Sequence, residues 1–344
     1  VRRGKRRARP FDVLLAGYYG FHNLGDDMLL EATLGLLGKQ GVPPERVALL
    51  TARPEEAPAG VLPFDRWNPL RIAEAASLSR SLLLGGGGLF QDSTSSKSCL
   101  YYWGVVRIGA LCGARPWAFG QSVGPFRSAL GRLLARDGLR RCDPRTIRDE
   151  PSRRELEGFG LSAETAPDLV LSLRPGELPR SGSRIAVNLR PWRGGLVERA
   201  AEEVRALLAR LGAEGLGIAL DPADRDLLEG LRSAGRLPLG EIRLVRSAEE
   251  IFAALDGCAG LAAMRLHALV LATVGEVPAY AIPYDPKVEA FAGQFALPSG
   301  LAGLRDWVPE GGSVDRERLR RARQDLGEAF ARALTRALSE ERGG

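Results

Sequence analysis

The sequence predicts an α/β protein built from two parallel-sheet domains that face a cleft. Three observations carry this expectation. Short apolar runs alternate with segments of helical period, the pattern of βα units. The alternation breaks at 174–183, RPGELPRSGS, whose Pro, Gly and Ser mark a linker, and it restarts at Arg184. A chain of 344 residues is also long enough to bury two separate cores. The expected domains are 11–173 and 184–312, preceded by a basic tail at 1–10 and followed by a bracing segment at 313–344.

The elements follow from local pattern. Phe11–Ala16 (FDVLLA) reads as the first strand, and Gly17–Asp26 as a Gly-rich turn into a helix ending near Gly38. Further strands are expected at Arg46–Leu50, Ser81–Leu84, Arg115–Phe119, Thr146–Arg148 and Ala166–Leu171. Cys99–Cys112 and Ser128–Arg140 have helical spacing. In the second half, strands are expected at Ile185–Leu189, Leu216–Leu220, Ile242–Val245, Cys258–Ala262 and Ala279–Pro283, with helices between them. Val314–Glu341 reads as one long charged amphipathic helix.

Composition excludes several classes. Hydrophobic content of 45% and charged content of 26% are those of a globular protein. No run of eighteen apolar residues is present, and the basic start VRRGKRRARP has no apolar stretch of a signal peptide, so a cytoplasmic protein is expected. The net charge of +6 is spread along amphipathic helices without a nucleic-acid-binding motif. The basic tail suits a solvated end, a contact with phosphorylated glycans, or a peripheral contact with anionic headgroups at the inner membrane surface. Four scattered cysteines and two histidines give no zinc spacing, so no metal is expected and the thiols read as reduced and mostly buried.

Several stretches at predicted strand ends carry chemistry. AMRLHALVLA (263–272) places Arg265 and His267 at the start of an apolar helix, where unpaired N–H groups and the helix dipole favour an anion. A buried Arg–Asp pair and a core histidine are the plainer reading of the same residues. NLRPWR (188–193) adds Arg190 and Arg193, whose forked donors suit phosphate or carboxylate, and Lys287 follows the last strand. In the first half, LLLGGGGLFQD (82–92) offers glycines, Gly86 and Gly87 among them, for close approach, and Gln91, Asp92, Ser93 and Thr94 follow as candidates to meet sugar hydroxyls. It has neither the register of a dinucleotide fingerprint nor a P-loop lysine. GYYGFHNLGDD (17–27) contributes Tyr19, Asn23, Asp26 and Asp27, some of which cap the following helix, and GQSVGP (120–125) contributes Gln121. His22 fits a ligand contact or a surface loop equally. No H-E-x-x-H motif is present.

Taken together, GYYGFHNLGDD, LLLGGGGLFQD, GQSVGP, RDEPS (148–152), Pro167-Asp168, NLRPW, MRLHAL and IPYDPKV resemble the polysaccharide pyruvyl transferase family, in the family's order from about residue 11 to 295. The similarity is to the type that pyruvylates the secondary cell wall polysaccharide anchoring S-layer proteins. It implies two Rossmann-like domains in a GT-B-like arrangement, with the acceptor side in the first domain and the donor side in the second. It implies phosphoenolpyruvate as co-substrate without a further cofactor. It also implies a hexosamine acceptor, N-acetylmannosamine in a lipid-linked precursor, on which a ketal forms with release of phosphate. Arg265 and His267 match the family's donor motif, with Arg190, Arg193 and Lys287 as further donor contacts. A catalytic aspartate is implied in the first half, and Asp26 and Asp92 both stand open for it. Tyr19, Asn23, Gly86, Gly87, Gln91, Asp92 and Gln121 are the acceptor-side candidates. Two rivals remain: a GT-B glycosyltransferase using a nucleotide sugar, with Glu276 as the candidate acid for its ribose, and a non-catalytic glycan-binding protein.

Overall fold

The computed structural model describes residues 9–92, 97–175, 182–309 and 314–339. Nearly all of the basic tail, most of the expected linker, and Ser93 and Thr94 lie outside the described residues. The chain divides into two compact units, 1–172 with 324–344, and 173–323. The division falls inside the last helix.

The first unit contains β1 (Phe11–Ala16), α1 (Leu24–Lys39), β2 (Val47–Thr51), β3 (Leu62–Asp65), α2 (Pro69–Ser77), β4 (Ser79–Leu84), β5 (Gly87–Phe90), α3 (Lys97–Leu111), β6 (Arg115–Val123), α4 (Ala129–Arg140), β7 (Arg145–Ile147), α5 (Glu150–Gly158) and β8 (Glu164–Thr165). Its strands lie in the order β3-β2-β1-β4-β6-β7-β8, with β5 added beside β6, and every pairing is parallel. Every residue of β1 and β2 is buried, so both faces of the central strands are covered, as a parallel sheet requires. Helix starts are set by side-chain caps: Asn23 for α1, Asn68 for α2, Ser128 for α4 and Asp149 for α5 each accept from first-turn N–H groups.

The second unit contains β9 (Arg184–Asn188), α6 (Leu196–Leu211), β10 (Gly215–Ala219), α7 (Pro222–Ser233), β11 (Leu239–Leu244), α8 (Ala248–Leu255), β12 (Cys258–Ala263), α9 (Leu266–Val274), β13 (Ala279–Ala281) and α10 (Pro286–Phe295). Its parallel sheet runs β11-β10-β9-β12-β13. The final helix, α11 (Arg316–Leu338), begins in the second unit and ends in the first, where Phe330 packs on Trp117 and Phe119.

Both sheets share one topological property. The first strand of each unit lies in the middle, and the chain builds outward first to one side and then to the other. The direction reverses between β1 and β4 in the first unit and between β9 and β12 in the second. In open α/β sheets, the crevice beyond the strand C-termini at such a reversal is where ligands bind.

Two expected elements differ. Ala166–Leu171 is not a strand. Asp168 accepts from Val170 N–H at 2.9 Å, which turns the chain into a short 3₁₀ segment, Leu169–Ser172, that buries its apolar residues. The four-glycine run is not only a turn, because Gly87–Phe90 pairs with β6 as β5. The four cysteines are free, three of them buried, and burial raises Cys99 to about 11 and Cys142 to about 12. No helix among the described residues is long and apolar enough to cross a membrane.

Candidate active site

The site is built separately on each unit, at the reversal point of its own sheet. In the second unit, β9 ends at Asn188 and β12 at Ala263, which are register partners. Two residues beyond each strand end stand Arg190 and Arg265. Asn188 is fully buried; its Oδ1 accepts from Arg265 N–H at 3.0 Å and its Nδ2 donates to Ile218 O at 2.8 Å. That side chain fixes where α9 starts, with Arg265 in the N-cap position and His267, half-buried, in the first turn.

Arg265 does meet a buried acid. Its Nε and Nη2 donate to the two oxygens of Asp224 at 2.6 and 2.7 Å, and Asp224 is fully buried. Burial alone would lower the Arg265 pKa, but the Asp224 hydrogen bonds and charge outweigh it and hold the guanidinium firmly protonated. The fork expected to grip an anion is therefore engaged by Asp224. Nη1 is the guanidinium nitrogen that Asp224 leaves unengaged.

Arg190 is different. Its Nη1 donates to Tyr284 Oη at 2.9 Å, and its guanidinium lies 4.9 Å from the Tyr284 ring centre and 5.6 Å from that of Trp192. Its Nε is buried without an acceptor among the described residues, and no described carboxylate pairs with it. Trp192 stands edge-on to Tyr284 and stays 43% exposed. Arg193 is exposed. Lys287 lies 3.9 Å from Asp285, the N-cap of α10. Glu276 follows α9 at the end far from the strand termini and pairs with Arg316 at 2.7 Å, so it is misplaced for gripping a ribose at the reversal point.

In the first unit the loops after β1 and β4 meet as topology requires, but several expected contacts become supports. Tyr19 is 1% exposed, and burial raises its pKa well above 10. A Cβ on Gly17 or Gly85 would fall within the Tyr19 side chain, and one on Gly86 would strike Leu169 and Leu29. The glycines thus admit the protein's own side chains at close range. Gln121, also 1% exposed, donates to Leu84 O and Gly85 O and holds that turn. Asp92 accepts from Arg127 N–H, from Ser128 N–H at 2.9 Å and from Ser128 Oγ at 2.5 Å. Burial would raise its pKa, yet these donors bring it below the usual carboxylate range. Asp92 is a clamp on the start of α4, not a group facing solvent. Asn23 Oδ1 is likewise occupied in capping α1.

Asp26 remains part-exposed, its Oδ1 beside Gly87, which has a φ of 108°. Asp27 next to it has its pKa raised, chiefly by burial. Gln91 is half-buried. His22 is 60% exposed and lies 3.8 Å from Glu56.

Sequence reasoning missed Asp224, whose helix-capping neighbourhood gave no hint of a partner 41 residues away. It also missed Arg66, 2% exposed and surrounded by aromatic rings. The buried pair Arg148–Asp168, at 2.6 Å, joins two quoted motifs, with Arg148 Nε also donating to Ser122 Oγ at 2.8 Å.

These two parallel α/β units, each with polar groups at its reversal point, define a fold of the GT-B type. A structure described as a putative UDP-N-acetylglucosamine 2-epimerase from Listeria monocytogenes matches with a TM-score of 0.54 and 13% identity over 94% of this chain and 91% of that one. A variant of Os79 from O. sativa, in complex with UDP, matches with a TM-score of 0.51 and 14% identity over 95% and 94%. At such identities the likeness is one of fold. No curated protein matches the sequence. The chain belongs to the polysaccharide pyruvyl transferase family, whose model matches residues 23–286. It is thus an enzyme of pyruvyl transfer to polysaccharide.

Proposed function

We propose that the donor is phosphoenolpyruvate and that the acceptor is a hexosamine, N-acetylmannosamine, in a lipid-linked cell wall precursor of the S-layer-anchoring type, at the cytoplasmic face of the membrane. The observation that carries the reading is the meeting of Arg190, Arg265 and the first turn of α9 at one reversal point. Arg190 supplies a cation with no carboxylate partner among the described residues, Arg265 supplies a fixed Nη1, and the start of α9 supplies the positive end of the helix dipole. Phosphoenolpyruvate carries two anionic groups for such donors.

Protonation of the methylene carbon of phosphoenolpyruvate makes it a methyl group and leaves an oxocarbenium-like centre at the phosphate-bearing carbon. One sugar hydroxyl attacks that carbon and loses its proton. Phosphate departs with its bridging oxygen, and a second hydroxyl closes the cyclic ketal. His267 is the group proposed to move a proton, with Asp26 on the acceptor side; such help is worth roughly 10²–10⁴-fold. Arg193 and Lys287 are the outer donor contacts. Asp92, Tyr19, Gln121 and the glycines hold the acceptor side in shape.

Calorimetric titration with phosphoenolpyruvate, with UDP-N-acetylglucosamine as control because exposed Trp192 would suit a nucleotide base, tests the donor. Phosphoenolpyruvate binding that Arg190→Ala abolishes supports the reading; binding of the nucleotide sugar alone refutes it. His267→Ala is expected to keep donor affinity and lose turnover. Near-normal turnover would remove the proton role.

A further inference from the structure

An aromatic cluster on the first unit is unused by the reaction above. Arg66 follows β3 and is 2% exposed, yet no described carboxylate pairs with it. Its Nη1 donates to Gly17 O at 2.7 Å and its Nη2 to Tyr102 Oη at 3.3 Å, while its Nε has no acceptor among the described residues. The remaining charge is met by ring faces: Tyr101 at 4.5 Å, Phe21 at 4.8 Å and Trp67 at 5.3 Å from the guanidinium carbon. Cation–π attraction of this kind is strongest where water is excluded.

The buried cation therefore orders the rings around it. Tyr18 stacks on Phe21 with centres 4.1 Å apart and planes 12° apart, Phe21 meets Trp67 edge-on at 6.0 Å, and Trp67 leans on Tyr101 at 5.7 Å. The Trp67 backbone is pinned by Asp65, which accepts its N–H at 2.8 Å. Yet Trp67 is 61% and Tyr18 41% exposed. Large rings held rigid from below and bare above lose little freedom on binding. Asn68 and Asn23 lie exposed in the same loops, so the apolar faces have a polar rim. The open ring face of Trp67, with Phe21 standing edge-on beside it and an amide next to it in the chain, matches a pyranose ring, whose axial C–H groups make one apolar face and whose hydroxyls point outward. The loops are those after β1 and β3, beyond the same sheet edge as Asp26 and the glycine turn.

We infer that Trp67, ordered by Arg66 and flanked by Phe21 and Tyr18, forms a stacking platform for a pyranose ring of the glycan, next along the acceptor from the sugar that is pyruvylated. The inference rests on the family's polysaccharide acceptor and on the first unit being the acceptor side.

The test is binding in the absence of any donor, by saturation-transfer NMR and fluorescence titration. The probes are N-acetylmannosamine and its β-linked disaccharide with N-acetylglucosamine, and the proteins are wild type, Trp67→Ala and Trp67→Phe. Trp67 is exposed, so these variants should fold, and circular dichroism checks that. The disaccharide should bind wild type more tightly than the monosaccharide does. Trp67→Ala should weaken the disaccharide about tenfold, and Trp67→Phe should recover most of that. Phosphoenolpyruvate affinity should be the same in all three. In turnover, Trp67→Ala should raise the disaccharide KM and leave kcat. Unchanged disaccharide affinity in Trp67→Ala, or no disaccharide binding by wild type, would overturn the platform. So would a dimer in sedimentation that Trp67→Ala dissociates with sugar binding unaltered, which would assign the rings to a second copy of the chain. Failure of the pyruvyl-transfer reading shows separately, as wild type releasing no phosphate from phosphoenolpyruvate.

Discussion

Replacing Asp224 by alanine removes the buried partner of Arg265 and probes both stability and donor affinity. Breaking a fully buried ion pair by deleting one member typically costs about 3–5 kcal/mol. The Arg265 side chain keeps 23% exposure, so it can recover part of its hydration, and the lower end applies. Leu220 N–H, which donates to Asp224 at 3.2 Å, loses its acceptor and adds about 1 kcal/mol. The expected loss is therefore about 3–4 kcal/mol. Denaturant titration read by hydrogen exchange on peptides spanning Leu266–Val274 reports it locally, without assuming that both units unfold together. A double-mutant cycle with Arg265→Ala isolates the pair. Freed from its fork, Arg265 should also miss the donor, weakening phosphoenolpyruvate binding about tenfold. A coupling below about 0.5 kcal/mol would refute the claim that Asp224 holds Arg265 in place, since that is the range of exposed pairs.

Other outcomes follow from particular contacts. Gly85→Ala should destabilise the first unit by roughly 1–3 kcal/mol, because its Cβ would overlap the Tyr19 hydroxyl. Tyr19→Phe should restore most of that, since the next atoms then stand at 3.4 Å; a failed rescue, measured by thermal unfolding, would mean the glycine serves another purpose. Asp12 is held below the usual carboxylate range: burial raises it, but Arg46 and Arg80 outweigh burial. Its contribution is thus present above the unfolded pKa of 3.8 and lost as pH falls through the lower folded value. Asp12→Asn should flatten the loss of stability below about pH 4, and an unchanged acid profile would contradict this. Arg190→Lys should weaken phosphoenolpyruvate binding about as much as Arg190→Ala, because an ammonium does not reproduce the fork that reaches Tyr284 while stacking on its ring. Calorimetry showing near-native affinity for the lysine variant would reduce Arg190 to a point charge.

Much of the fold was legible because the strands that define it are apolar on both faces. FDVLLA and IAVNL leave few alternatives. The elements that escaped were those whose pattern is not their own. Leu62–Asp65 is a four-residue edge strand containing a proline, with only one buried residue. Gly87–Phe90 becomes a strand only because β6 continues past Phe119 to Val123 and offers an edge. The site was legible as a set of motifs at strand ends, but strand order decides which ends adjoin, and no local pattern states it. The density of glycines and polar groups in 17–27 and 82–92 was visible, whereas their division into surface and support was not. Tyr19, Gln121 and Asp92 became supports because each has a partner far along the chain. Arg66 sat between an ordinary Asp and Trp, and its meaning comes from rings at 21 and 101.

The side chain of Asn188 must accept from Arg265 N–H at one end and donate to Ile218 O at the other, within a space sealed from water. Aspartate has the shape but lacks the donor, leucine has neither, and glutamine is a methylene too long. Two motifs 77 residues apart are thereby soldered into a single corner, so NLRPW and MRLHA should be inherited as one word rather than two.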